Sequence, residues 1–301
     1  MSSWEGKSKG SVLGYKIFVF FLKNTNIHVA YFILYFVAFY FWLFKKATFK
    51  TSLDYFHRIQ HFSKVKSFFA IYHQYLVLGK IMLDKTLILS GIKHPFTIEH
   101  DGLDNIEAIV KDGKGGMLIS SHVGNWETAG QLLERINHTF NIVMVDAEHE
   151  KIKEYMGEVM KKKNFNIIPI KDDMSHIFLI KDALSRNELI VMHGDRYIDQ
   201  TSAIKMQFMG QTAYFPTGPF FIAAKFNIPI TFAFAMKERN THYHFYASKP
   251  IIYKLKGNRQ AKDEIIKNLM IKYVQQLEQI ITKYPYQWFN FYDFWEFKTN
   301  N

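Results

Sequence analysis

The sequence predicts an α/β protein: an N-terminal hydrophobic helical anchor, then a mainly parallel sheet flanked by helices. Three observations lead there. The run Ile27–Phe44, IHVAYFILYFVAFYFWLF, contains no charged residue. From residue 96 onward, short apolar stretches of strand length alternate with helical ones, the texture of a parallel sheet covered on both faces. The positive charge gathers around the first apolar run instead of spreading over the chain, which sets the anchor apart from the remaining residues.

The anchor comes first. Eighteen residues make a helix of roughly 27 Å, close to the hydrocarbon thickness of a bilayer. A shorter apolar stretch, 12–22, lies just before it across the polar turn Lys23-Asn24-Thr25-Asn26, so a span and an interfacial helix pair both fit. Residues 1–26 carry four Lys against one Glu, and residues 45–92 carry eight Lys/Arg against two Asp. Nine of the eleven excess charges of the 301-residue chain therefore flank the apolar run, where anionic headgroups would attract them. That placement, with no RNA- or DNA-binding module, argues against nucleic acid as a partner. The chain has no cysteine, which excludes disulfides, thiolate metal sites and a Cys nucleophile.

Residues 47–90 read as helical, with apolar residues three and four apart and Gly91 as the stop. Next come a strand at 96–99, a helix at 105–110, a strand at 117–121 and a helix at 126–136. Strands at 142–145, 167–170 and 189–192 are separated by helices at 150–162 and 176–186. A helix at 218–226, strands at 230–236 and 243–247, and a long amphipathic helix at 261–283 complete the pattern. The organisation is thus 1–46 as a membrane-anchoring helical segment, 47–95 as an amphipathic basic helical region, and 96–301 as the α/β domain.

Three of the thirteen histidines have Glu five residues on: His94, His122 and His149. Five residues of helix turn about 500°, so the two side chains converge only if the His precedes the helix and the Glu lies in its first turn. His122 alone has that setting. An apolar strand precedes it, Gly124 permits a sharp turn, and Asn125 is a good N-cap for the next helix. Glu127 then falls near the second helical position, where the helix dipole favours its charged form. A carboxylate beside an imidazole fixes its tautomer and steadies the imidazolium, as a general base acting on a hydroxyl requires.

Ser120-Ser121-His122-Val123-Gly124-Asn125-Trp126-Glu127 resembles the H-x4-[DE] block of the lysophospholipid acyltransferase superfamily, and its HxGNWE form is similar to the lipid A biosynthesis (lauroyl/myristoyl) acyltransferases. Further blocks carry the likeness along most of the chain: 69–89, Met192-His193-Gly194-Asp195-Arg196, 208–210, Phe215-Pro216-Thr217-Gly218-Pro219, Ile228-Pro229-Ile230 and Pro285-Tyr286-Gln287-Trp288. The resemblance implies a glycerolipid acyltransferase-like fold and an acyltransferase domain over 96–301. It also implies O-acyl transfer from an acyl carrier protein or coenzyme A thioester to a hydroxyl of a lipid A precursor or other membrane lipid. His122 would be the base and Glu127 its orienting partner, without metal or cofactor. Arg196 would grip a phosphate, Thr217 and Gly218 would present backbone N–H groups to an oxyanion or phosphate, and Asn125 would polarise the thioester. The expected place is the bacterial inner membrane, with the α/β domain facing the cytoplasm. His193-Gly194-Asp195-Arg196 and the aromatic tail 289–295 are closer to relatives linked with aryl-polyene or flexirubin-type pigments. Acyl transfer in such a pathway, or lipid binding without catalysis, are the alternatives.

Overall fold

The computed structural model describes residues 26–44, 46–89, 94–125, 128, 130, 133, 136–145, 165–197, 200–253 and 259–296. The apolar stretch expected at 12–22, the helix expected at 150–162, and Glu127 lie outside the described residues.

Helix α1 (Ile27–Phe44) buries one stripe, Ile27, Ala30, Tyr31 and Ala38, at the spacing that puts residues on one helix face. Its partner is α3 (Lys64–Leu89), which runs antiparallel to it. Tyr31 meets the Leu83 and Leu87 end of α3, while Trp42 meets Phe68, its ring centroid 4.6 Å away. Midway, Gly79 lets Leu34 approach, since a Cβ there would stand 3.0 Å from its side chain. The opposite face of α1 is an open apolar ridge of Phe32, Phe36, Tyr40 and Phe44, each about 60% exposed or a little more.

The helical region between α1 and the sheet is interrupted. Helix α2 (Lys46–Asp54) passes into a π-helical turn, Tyr55–Ile59, and His61 (φ 55°) turns the chain into α3. The reason lies in the packing. The turn drives Tyr55, Phe56 and Ile59 into the core, where Tyr55 packs on Trp288 and Trp295.

Among the described residues the main sheet has seven strands. These are β1 (Thr97–Asp101), β2 (Gly116–Ser120), β3 (Phe140–Val145), β4 (Phe165–Ile170), β5 (Leu189–His193), β8 (Ile230–Arg239) and β9 (His242–Ala247). They lie in the order β1-β9-β8-β2-β5-β3-β4. Strands β8, β2, β5, β3 and β4 are parallel; β9 pairs antiparallel to β8, and β1 runs with β9. The central strands GMLIS and LIVMH are almost entirely buried, as strands covered on both faces must be. One face is covered by α5 (Ser175–Ser185), α6 (Gly218–Phe226), α7 (Arg259–Lys283) and part of α3. The other is covered by α4 (Leu103–Lys111) and by the stretch holding Leu133. Helix α7 shows why it lies there: Ile266, Leu269, Met270, Tyr273, Val274, Leu277, Ile280 and Ile281 form one buried stripe.

A second, three-stranded antiparallel sheet goes beyond the sequence expectation. Strands β6 (Ala203–Phe208) and β7 (Gln211–Pro216) form a hairpin, and β10 (Trp295–Glu296) joins its edge. The hairpin turns on two residues, Met209 (φ 53°) and Gly210 (φ 76°), the left-handed pair that matches strand twist. The aromatic tail closes over this sheet, with Trp295 stacked on Phe208 and Phe294 edge-on to Phe215.

Candidate active site

Strand β2 ends at Ser120 and strand β5 at His193, and the parallel register sets these two residues side by side. The segments leaving the two strands therefore emerge at one place, the carboxyl edge of a parallel sheet, where such folds bind ligands. His122 lies two residues past Ser120; Asp195 lies two past His193.

These residues meet. His122 Nδ1 is 2.9 Å from Asp195 Oδ1, and the backbone N–H of His122 donates to Asp195 Oδ2 at 3.0 Å. Asp195 is fully buried, whereas the His122 side chain keeps 25% of its surface exposed. Burial alone would raise the carboxyl of Asp195. The charge and hydrogen bond of His122, with the Arg196 charge behind them, instead pull it far below the usual range, so it is ionised. An ionised carboxylate only accepts, so the proton of a neutral His122 ring sits on Nδ1 and the lone pair on Nε2. His193 faces that second nitrogen, its Nδ1 3.3 Å from His122 Nε2. Burial, then repulsion from His122, lowers His193 to about 3, so it is neutral. Among the described residues, His122, His193 and Asp195 are a group close enough to hold a metal ion, but both Asp195 oxygens are already committed to His122.

The corner carrying His122 is braced from two sides. The Gly124 N–H donates to Gln287 O, that of Asn125 to Ala235 O, and that of Phe289 to His122 O. Val123 bridges Trp288, and the Gln287 side-chain amide pairs with both backbone groups of Lys237. Gly124 is obligatory here. Its φ is +58°, and a Cβ would come within 2.1 Å of Ala235 O. Gly124→Ala is expected to lower stability by about 3 kcal/mol or more, read as a drop in the urea midpoint; a midpoint within error of the wild type would refute the close approach.

The other sequence candidates direct hydrogen bonds to other partners. Asn125 is buried, and its Nδ2 donates to Tyr243 Oη at 3.3 Å, beneath the corner. Arg196 directs Nε to Asn290 Oδ1 at 3.0 Å and Nη2 to Phe289 O at 3.2 Å, clasping the C-terminal segment that braces His122. Thr217 lies at the turn from β7 into α6, its hydroxyl donating to Ser202 O and not capping the helix, and Gly218 beside it has open space on its Cα. In the sequence Asp195 falls within the block Met192-His193-Gly194-Asp195-Arg196 but carries no assigned role. Its 73-residue separation from His122 gives no local spacing signal.

A family model described as bacterial lipid A biosynthesis acyltransferase matches residues 76–296. The chain belongs to that acyltransferase family. Among curated proteins it is similar to the phosphatidylinositol mannoside acyltransferase of Mycobacterium tuberculosis (strain ATCC 25618 / H37Rv), 25% identical over 119 residues, 39% of this chain and 37% of that protein. The phosphatidylinositol mannoside acyltransferase of Mycolicibacterium smegmatis is 24% identical over 118 residues, 39% of this chain and 38% of that one. The matched region thus spans a little over a third of the length of these relatives. A solved structure, the 1-acyl-sn-glycerophosphate (LPA) acyltransferase PlsC of Thermotoga maritima, aligns over 83% of this chain and 98% of its own with a TM-score of 0.38 and 12% identity.

Proposed function

We propose that the chain transfers a fatty acyl group from an acyl thioester directly to a hydroxyl of a membrane lipid, with His122 as general base. The observation that carries this reading is the His122–Asp195 pair at the carboxyl edge of the sheet: a buried carboxylate holds Nδ1–H and leaves Nε2 with a lone pair. Asp195 takes the orienting role in this reading; whether Glu127 shares it is open to test by substitution. Nε2 removes the proton of the acceptor hydroxyl as its oxygen bonds to the thioester carbonyl carbon. The tetrahedral intermediate collapses, the C–S bond breaks, and the imidazolium returns the proton to the departing sulfur. No acyl-enzyme is formed, in keeping with a chain that has no cysteine.

The exposed ridge of α1 supports a lipid surface as the place of reaction, since soluble chains rarely leave so large an apolar strip uncovered. The family description and the names of the relatives both point to sugar-bearing lipids, so a glycolipid hydroxyl is the acceptor class we favour. Thioester donors are made in the cytoplasm, so this reading has the α/β domain on that side of the inner membrane.

The test uses the full chain with vesicles of total bacterial lipid and labelled palmitoyl thioesters of acyl carrier protein and of coenzyme A. Label should enter lipid with one of the donors, and His122→Ala should lower the rate by about 10³-fold. Equal incorporation by wild type and variant would sink the base assignment. Phe36→Glu combined with Phe44→Glu should abolish co-flotation with the vesicles; undiminished flotation would remove α1 as the lipid contact.

A further inference from the structure

The nitrogen of His122 that must receive a proton is not empty-handed in the free protein. His193 Nδ1 lies 3.3 Å from it, with the two rings nearly perpendicular, their centroids 4.3 Å apart. His122 carries its own proton on Nδ1, toward Asp195, so the proton between the two rings belongs to His193. His193 Nδ1–H therefore donates to the lone pair of the base. A hydroxyl cannot approach that lone pair while the donation persists.

We propose that His193 is a catalytic residue: when the acceptor hydroxyl takes its place at His122 Nε2, His193 Nδ1–H moves to the carbonyl oxygen of the thioester and donates to it as that oxygen becomes anionic. The inference rests on the acyl-transfer reading above. The geometry supports it. An attacking oxygen within hydrogen-bond reach of Nε2 stands only about 2.3 Å from the oxyanion of the tetrahedral intermediate, and a donor 3.3 Å from Nε2 needs a small swing to reach it. The charge state fits too. A neutral imidazole donates without adding a second cation beside the imidazolium forming at His122, and burial together with that neighbour keeps His193 neutral. Its backbone is fixed at the end of β5, and Gly194 behind it packs against Ile119 and Tyr273 with no room for a side chain. The proton balance is unchanged: the acceptor's proton goes to His122 and then to sulfur, and His193 keeps its own throughout.

The experiment monitors thiol release by the full chain in vesicles of total bacterial lipid, using a thiol-reactive dye and the palmitoyl thioester, of acyl carrier protein or of coenzyme A, that supports the faster release. The chain has no cysteine, so every thiol detected is product. His193→Ala should lower kcat by about 10²-fold while KM for the thioester changes less than about three-fold. His193→Asn, whose amide N–H lies where Nδ1–H was, should recover about ten-fold of that loss. Melting curves of both variants report folding. His193→Ala within three-fold of wild type, or no recovery by Asn in a protein that folds like wild type, would overturn the inference. A wild type no faster than His122→Ala with either thioester would overturn the acyl-transfer reading itself, and the inference with it.

Discussion

Asp195→Asn is expected to lower kcat by about 10³- to 10⁴-fold with little change in KM for the thioester donor. The substitution preserves volume in a fully buried position. An amide can keep one of the two contacts to His122, to the ring or to the backbone N–H, but cannot accept from both with charge. Its NH2 group presented to Nδ1 would force the ring proton onto Nε2, the nitrogen that has to receive one. The imidazolium would also lose its counter-charge. Glu127→Gln provides the comparison: it should cost less than Asp195→Asn when both are assayed on the same donor. A larger loss at Glu127 would return the orienting role to the residue five positions from the histidine.

A second large effect is expected far from the chemistry. Lys237 on β8 is paired with Asp84 on α3, both buried, and Tyr31 of α1 and Tyr243 of β9 donate their hydroxyls to the same carboxylate. The carbonyl of Asn240 also accepts from Lys237 Nζ. Burial pushes Asp84 up and Lys237 down, and their mutual attraction opposes both shifts. Removing one member of such a pair leaves the other charged and unpaired in a place water reaches poorly. Asp84→Ala should therefore cost about 3–5 kcal/mol, measured by chemical denaturation in detergent micelles. Asp84→Ala with Lys237→Met should recover much of that, because the uncompensated charge is gone. A double variant as unstable as the sum of the two single ones would show that the pair is not coupled.

The legible and illegible parts of this chain divide along physical lines. The His122 corner could be read because its determinants are local: an apolar strand before it, Gly124 for a left-handed turn, and Asn125 before the helix, where Thr128 N–H donates to Asn125 O. The strand–helix alternation was legible for the same reason, and so was the unpaired apolar face of α1. Asp195 as the partner of His122 was not legible. It depends on β2 and β5 being neighbours, and nothing in either strand says which strand lies beside it. The β6–β7 hairpin escaped because its turn is Met209-Gly210, with methionine in a conformation more often given to Asn or Asp. The break at Tyr55–Ile59 was hidden inside a helical period, since it is imposed by Trp288 and Trp295 from the far end of the chain. Nothing in the sequence marks Lys237 or Asp84 as interior, and only the packing of four elements makes them so.

The seam between α1 and α3 bears on how a water-soluble form could be engineered. The helix we propose to face lipid is at the same time a wall of the folded body, contributing Tyr31 to an interior charge cluster and covering Leu83 and Leu87. Trimming it away would trade one greasy surface for another and strip a hydroxyl from Asp84. Repainting offers the better route: polar side chains at Phe32, Phe36, Tyr40 and Phe44 would change only the outward ridge and leave the inward contacts as they are.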